Sequence, residues 1–297
     1  MPPKRSEISN FAPRKGLENA KRNTKEETMA TKILFVNQEI APYVPETAMA
    51  AAGRDAVYAA QAGKFEIRTF TPKWGVINER RGQLHEVIRL SGMNIVVNDA
   101  DHPILIKVAS LPKTRTQVYF IDNDDYFTKR GLAADEDGRE YGDNGERAVF
   151  FARGVLETVM KLRWNPDIIV CQGWMAAAIP FYVKTAYSEE PPFASAKVVT
   201  TLFGGGLADG FGPAFKRNVA YKGGGEELLE GYSDAFGPED IARFAIDYSD
   251  GVMEGEAGAP AEAVEYAKGK GLPLLPFAGV DLAEARPAFY KGLLGGK

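Results

Sequence analysis

The sequence predicts an α/β fold built on a doubly wound, mostly parallel sheet. Three observations lead there. Short β-branched runs alternate with helical stretches from residue 32 onward, the pattern of strand–helix–strand units. No internal repeat interrupts the alternation. Two apolar runs, Lys32–Asn37 and Asp167–Cys171, each break off into a polar turn, Gln38-Glu39 and Gln172-Gly173-Trp174. In open α/β sheets ligands sit beyond the carboxyl ends of strands, so both turns are where chemistry is sought.

The elements follow in order. After Lys32–Asn37 comes a helix of small residues at Ala48–Ala62, then a strand at Phe65–Thr71. A β-rich insertion is expected next, from three runs at Met93–Val97, Ile104–Ala109 and Gln117–Ile121, separated by turn residues such as Pro112-Lys113-Thr114. Residues Asn144–Arg163 place Val149, Phe150, Val155, Leu156, Val159 and Leu162 at helical spacing, which predicts an amphipathic helix. The strand Asp167–Cys171, a helix at Trp174–Tyr187 and the strand Lys197–Leu202 follow. Phe203 to Gly237 is Gly-rich and weakly periodic, and reads as a long mobile segment with a short helix. Helices at Pro238–Tyr248, Pro260–Gly269 and Leu282–Leu294, with strands at Gly251–Glu254 and Leu272–Phe277, complete residues 31–297 as one domain.

Residues 1–30 stand apart. They carry seven Lys/Arg against four Glu, with few apolar residues and no periodicity, and read as a disordered basic arm. They lack the apolar stretch of a secretory signal, and Met29 is an alternative start.

Composition narrows function. A net charge of −4 argues against nucleic acid as a partner. No apolar run reaches the roughly 18 residues of a membrane span, so no membrane partner is expected. The single Cys171 suits a reducing compartment, and the expected location is cytoplasmic. With one Cys and only His85 and His102, no zinc site is expected. No resident metal or other cofactor is expected.

Several motifs have both a chemical and a structural reading. Asp122-Asn123-Asp124 has the spacing with which two carboxylates share a divalent cation, but reads first as a capping turn. Asp135 to Glu140 imitates a calcium loop, but Gly138 is misplaced, so it reads as a solvated loop. Gly204 to Gly210 follows a strand yet fits neither the dinucleotide fingerprint nor the P-loop, and reads, like Gly223-Gly-Gly225, as a flexible connection. Cys171 reads as a small buried hydrophobe.

Six segments in fixed order carry a family resemblance: Lys32–Tyr43, Phe70–Ile77, Val118–Asn123, Tyr141–Arg147 with Phe150, Asn165–Trp174 and Ala245–Asp250. Over Lys32 to about Phe277 the chain resembles the N-terminal catalytic half of glycogen and starch synthases, and in particular a short single-domain bacterial subgroup. These are retaining glycosyltransferases of GT-B architecture, with two Rossmann-like lobes facing a cleft. The resemblance implies transfer of glucose from a nucleotide-glucose to an α-1,4-glucan. It also implies a second glycosyltransferase chain as partner if the missing lobe is supplied from outside. The alternative is a non-catalytic glucan-binding or regulatory module that partners a full synthase. Matching positions are Glu39, Tyr141, Asp143, Asn144, Arg147 and Trp174, with Gln172 standing where the family has a histidine. By resemblance Tyr141 and Asp143 meet acceptor hydroxyls and Trp174 a sugar face; the alternatives are that Asp143-Asn144 caps the long helix and that Arg147 pairs with a carboxylate. The resemblance identifies no catalytic residue. The chain departs from the family at Pro45–Ala51, where synthases carry Lys-Thr-Gly-Gly-Leu-Ala-Asp against the donor diphosphate, and at Thr201-Leu202-Phe203, where they carry a His-Asn pair. Gly205–Asp209 spells part of the missing motif but follows a different strand.

Overall fold

The structure, a computed structural model, describes residues 30–221 and 225–295. The basic arm expected over residues 1–30 lies almost wholly outside the described residues.

In chain order the elements are β1 (Lys32–Asn37), α1 (Ala48–Ala62), β2 (Glu66–Pro72), α2 (Glu79–Gly82), β3 (His85–Glu86), β4 (Asn94–Val97), β5 (Ala100–Pro103), β6 (Leu105–Ser110) and β7 (Gln117–Asp122). They continue with α3 (Asn144–Leu162), β8 (Ile168–Gln172), α4 (Ala178–Lys184), β9 (Lys197–Leu202), α5 (Phe215–Ala220), α6 (Pro238–Asp247), β10 (Gly251–Glu254), α7 (Ala261–Gly269), β11 (Leu274–Leu275) and α8 (Leu282–Leu293).

Nine strands form one sheet in the order β11-β10-β9-β8-β1-β2-β7-β6-β3. The seven from β11 to β7 run parallel, and β6 and β3 extend that edge antiparallel. Chain order climbs in one direction from β1 through β2 to β7 and in the other from β8 to β11. The reversal between β1 and β8 is the topological switch point, where a crevice opens beyond the carboxyl ends. Ile33, Leu34, Phe35 and Val36 of β1 and Ile168 and Ile169 of β8 are fully buried, as central strands covered on both faces must be. α1 and α8 pack together, while α3, α4, α6 and α7 pack in succession. Right-handed crossovers place the two groups on opposite faces.

The β-rich segment divides in two. β6 and β7 belong to the main sheet, and β7 pairs in parallel with β2. Only β4 and β5 form a separate hairpin, beside α3. Its two-residue turn, Asn98-Asp99, holds φ of +51° and +60°, which Asn and Asp tolerate better than other non-glycine residues. That signal was present in the sequence, where β5 reads only as turn residues.

The helix expected at Trp174–Tyr187 is a 3-10 turn at Trp174–Ala176 followed by α4. Within the expected mobile segment, residues 203–221 and 225–237 are anchored rather than loose. Phe211 and Phe215 lie 4.4 Å apart, Phe215 and Phe236 4.5 Å, and Phe236 packs at 5.4 Å on Phe244 of α6. Gly content hid this because the aromatic residues are not spaced for one helix face.

Candidate functional site at the switch point

At the carboxyl end of β1, Asn37 stands in register with Gln172 of β8, and Gln38 N donates to Gln172 O at 3.1 Å. The two chains cross closely here. Gly173 has φ +78° and ψ 172°, and a Cβ on it would lie 2.5 Å from Gln38 Oε1. Gly53 of α1 comes equally near, since its Cβ would lie 2.7 Å from the Glu39 carbonyl oxygen. Gln38 O accepts from Trp74 Nε1 at 2.7 Å. Thus β1, α1, the turn after β2 and the turn after β8 converge on Gln38-Glu39.

The Glu39 carboxylate is buried. It accepts from Thr47 Oγ1 at 2.6 Å and from Gln38 Nε2 at 3.2 Å. Thr47 Oγ1 in turn accepts from Ala50 N at 2.9 Å and caps α1. A carboxylate of the chain itself therefore backs the cap of α1, on the side where the helix dipole favours negative charge. Glu46, in the same turn, pairs with Arg54 at 3.0 Å.

Gln172 Nε2 donates to Met49 O at 2.9 Å, while its Oε1 and the neighbouring Asn37 Nδ2 are buried without a partner among the described residues. Trp174 lines a cavity of about 140 Å³ with Met49, Thr201, Phe203, Leu207 and Ile241. Its ring packs 6.3 Å from Trp74 and 6.2 Å from Phe211.

Tyr141, Asp143, Asn144 and Arg147 gather at the start of α3. Asp143 occupies the N-cap position but makes no capping bond. Its two oxygens accept from Arg130 Nη1 at 2.7 Å and Nη2 at 2.6 Å, which corrects the capping expectation. The bidentate partner outcompetes a single backbone N–H because both groups are charged. Burial raises the Asp143 carboxyl pKa, but the Arg130 hydrogen bonds outweigh it and hold the group below the usual carboxylate value.

Arg147 is fully buried and, among the described residues, has no carboxylate partner. It donates to Leu132 O and Asn144 Oδ1 at 2.8 Å each and to Gly131 O at 3.1 Å, and lies against the rings of Trp74, Tyr141 and Phe127. The expectation of an ion pair there is corrected: Arg130 takes the acid, and Arg147 ties down the 131–132 carbonyls. Burial, followed by repulsion from Arg130, lowers its pKa to about 10. Asn144 is buried as well and donates to Ala133 O at 2.9 Å. Of these four, Tyr141 and Asp143 are partly exposed.

The structure thus brings Glu39, Gln172 and Trp174 together at the switch point and sets Tyr141–Arg147 beside them. Trp74 joins the groups, touching Gln38, Arg147 and Trp174. Sequence reasoning missed Trp74, Thr47 and Arg130 as site-building residues; Trp74 lay in a segment quoted only for resemblance. Elsewhere, Asp122 bonds Lys107 at 2.9 Å while Asp124 is exposed and accepts from Thr128, so the two carboxylates serve separate partners. Among the described residues no group of three His, Cys, Asp or Glu could hold a metal ion. No described helix is long and apolar enough to cross a membrane.

Residues 32–252 match the starch synthase catalytic domain family. The chain belongs to that family. Among curated relatives, the glycogen synthase of Chlorobium limicola (strain DSM 245 / NBRC 103803 / 6330) is 38% identical over 172 residues, covering 58% of this chain and 35% of that protein. The glycogen synthase of Chlorobaculum tepidum (strain ATCC 49652 / DSM 12025 / NBRC 103806 / TLS) is 37% identical over the same length, with the same coverage. The chain thus spans about a third of the length of the curated relatives it matches. Among solved structures, the catalytic domain of starch synthase IV from Arabidopsis thaliana, bound to ADP and acarbose, superposes with a TM-score of 0.59 at 16% identity. The match covers 75% of this chain and 44% of that one. It agrees with the parallel sheet described above and makes the fold one lobe of a GT-B catalytic domain.

Proposed function

We propose that this starch-synthase-type lobe forms the acceptor side of a glucosyl transfer from a nucleotide-glucose to an α-1,4-glucan. In this reading it acts with a second, nucleotide-binding lobe. The observation that carries the proposal is the convergence of Glu39, Gln172 and Trp174 at the strand-order reversal, with Tyr141 and Asp143 partly exposed nearby. Carboxylates and aromatic faces are the groups that hold sugars. Asn144 and Arg147 act one step back, fixing the loop that carries Tyr141.

A departing diphosphate needs cations or aimed N–H donors. Here Thr47 caps α1 with the Glu39 carboxylate bonded behind it, Glu46 adds an anion, and Arg130 and Arg147 are engaged. These features support assistance from a second lobe, whichever chain supplies it. A non-catalytic glucan-binding module is the second reading, favoured by the apolar lining of the Trp174 cavity. Both readings place the protein in the cytoplasm.

Calorimetric titration with ADP-glucose, UDP-glucose and maltoheptaose tests both. Maltoheptaose binding that is lost in Trp174→Ala supports the acceptor site. Donor binding by this chain alone would overturn the need for a second lobe. Silence with all three ligands would remove both readings.

A further inference from the structure

β9 runs out into Phe203-Gly-Gly-Gly-Leu-Ala-Asp-Gly210, a segment whose backbone donors have no task in the function proposed above. Buried Leu207 pins its middle, and Gly205 and Gly210 hold φ of +67° and +74°. Left-handed residues let successive backbone N–H groups turn toward a common point, a concavity suited to anions.

Such a point is occupied here. Glu140 Oε1 accepts from Ala208 N at 2.7 Å, and Glu140 Oε2 accepts from Asp209 N at 3.0 Å. One carboxylate therefore spans two consecutive N–H groups, with one oxygen on each. At the other end of the loop, Glu256 Oε1 accepts from Gly204 N at 2.7 Å. Among the described residues neither Glu140 nor Glu256 is paired with a Lys or Arg, so backbone donors alone hold both charges. Such charge-assisted bonds are about twice as strong as neutral ones. The N–H groups of Gly205, Gly206 and Leu207 donate to no described residue. Ala208 and Asp209 are exposed, so a ligand arriving from solvent can reach the same donors.

We infer that residues 204–209 form a backbone anion-binding loop for a carboxylate or phosphate group, and that Glu140 fills it as an internal stand-in. Two oxygens of a phosphate match the same pair of N–H groups. The loop also borders the Trp174 cavity through Gly204, Gly206 and Leu207, so an apolar part of the same ligand has a place beside it. The Asp209 and Glu256 carboxylates oppose a highly charged ligand, which favours a single phosphate or carboxylate over pyrophosphate. A tethered carboxylate competes at high effective concentration, so the unmodified chain binds such an anion weakly.

The test is amide chemical-shift titration with inorganic phosphate and, separately, with acetate. It compares wild type, Glu140→Ala, Glu140→Gln and Glu136→Gln. Glu136 is an exposed acid of the same loop as Glu140 and controls for the loss of one negative charge. Circular dichroism confirms that each variant is folded. The expected result is saturable shifts at the 205–209 amides, with at least tenfold tighter binding of one or both anions in Glu140→Ala than in wild type. Glu136→Gln should titrate like wild type. Glu140→Gln keeps one acceptor and should fall between. Which anion binds tells phosphate from carboxylate. Absence of saturable shifts at these amides in every protein, or an equal gain in Glu136→Gln, would overturn the inference. Because the readout uses neither glucan nor nucleotide-sugar, its outcome is separable from that of the proposed function.

Discussion

Gly173 links the sheet to the candidate site, and replacing it with alanine gives a sharp test of how the site is built. Its backbone lies at φ +78° and ψ 172°, a region that essentially only glycine occupies, and forcing alanine into it costs about 1–3 kcal/mol. The added Cβ would lie 2.5 Å from Gln38 Oε1, 2.8 Å from its Cβ and 2.9 Å from its Cδ. Gln38 is buried and bonded to Glu39 and to Met175 N, so it cannot swing clear without breaking those bonds. Overpacking of this kind adds about 1–3 kcal/mol. The expected loss for Gly173→Ala is therefore about 2–6 kcal/mol, a large part of the ~5–15 kcal/mol by which domains are usually stable. Gly138 is the control: its φ is +80° with nothing within 4 Å of a built Cβ, so Gly138→Ala should lose only about 1–2 kcal/mol. Urea unfolding followed by tryptophan fluorescence measures both, and Trp74 and Trp174 report directly on the site. If Gly173→Ala falls within about 0.5 kcal/mol of Gly138→Ala, the close crossing of β1 and β8 is not what constrains this turn.

Two further outcomes are expected. Arg147→Met keeps bulk against Trp74 but leaves the Gly131 and Leu132 carbonyls and Asn144 Oδ1 without their donor; a loss of about 2–4 kcal/mol is expected. Hydrogen exchange should show the 130–134 loop opening first, and unchanged protection there would contradict the positioning role. Asp143 has a folded-state pKa below its unfolded value, so its stabilising contribution is full above the unfolded pKa of about 4 and disappears as pH falls through the folded value. The stability gap between wild type and Asp143→Asn should therefore hold from pH 7 to pH 5 and narrow below about pH 4. A gap that stays constant down to pH 2 would show that the charge of Asp143 is not what stabilises the fold.

Much of the architecture was legible because hydrophobic periodicity is a local property. β1, α1 and α3 lie almost where their patterns place them, since a central strand must be apolar on both faces and α3 must bury one stripe. The partner of each polar side chain was less legible. Asp143 followed by Asn144 looks like a helix cap, but Arg130 lies thirteen positions earlier, and only the folded loop brings its guanidinium onto that carboxylate. The Gly-rich run after β9 suggested looseness, but its aromatic residues meet α6 only after the chain has closed on itself.

By itself the sequence determined the strand–helix alternation, the two polar turns and the family, all written in contiguous residues. Only the tertiary structure decided that those turns meet at a reversal of strand order. It alone bonded Glu39 to the Thr47 cap of α1 and let Glu140 reach the 208–209 backbone. Each of these is a contact between distant residues, set by the closing of the whole sheet, and such contacts leave no periodic trace along the chain.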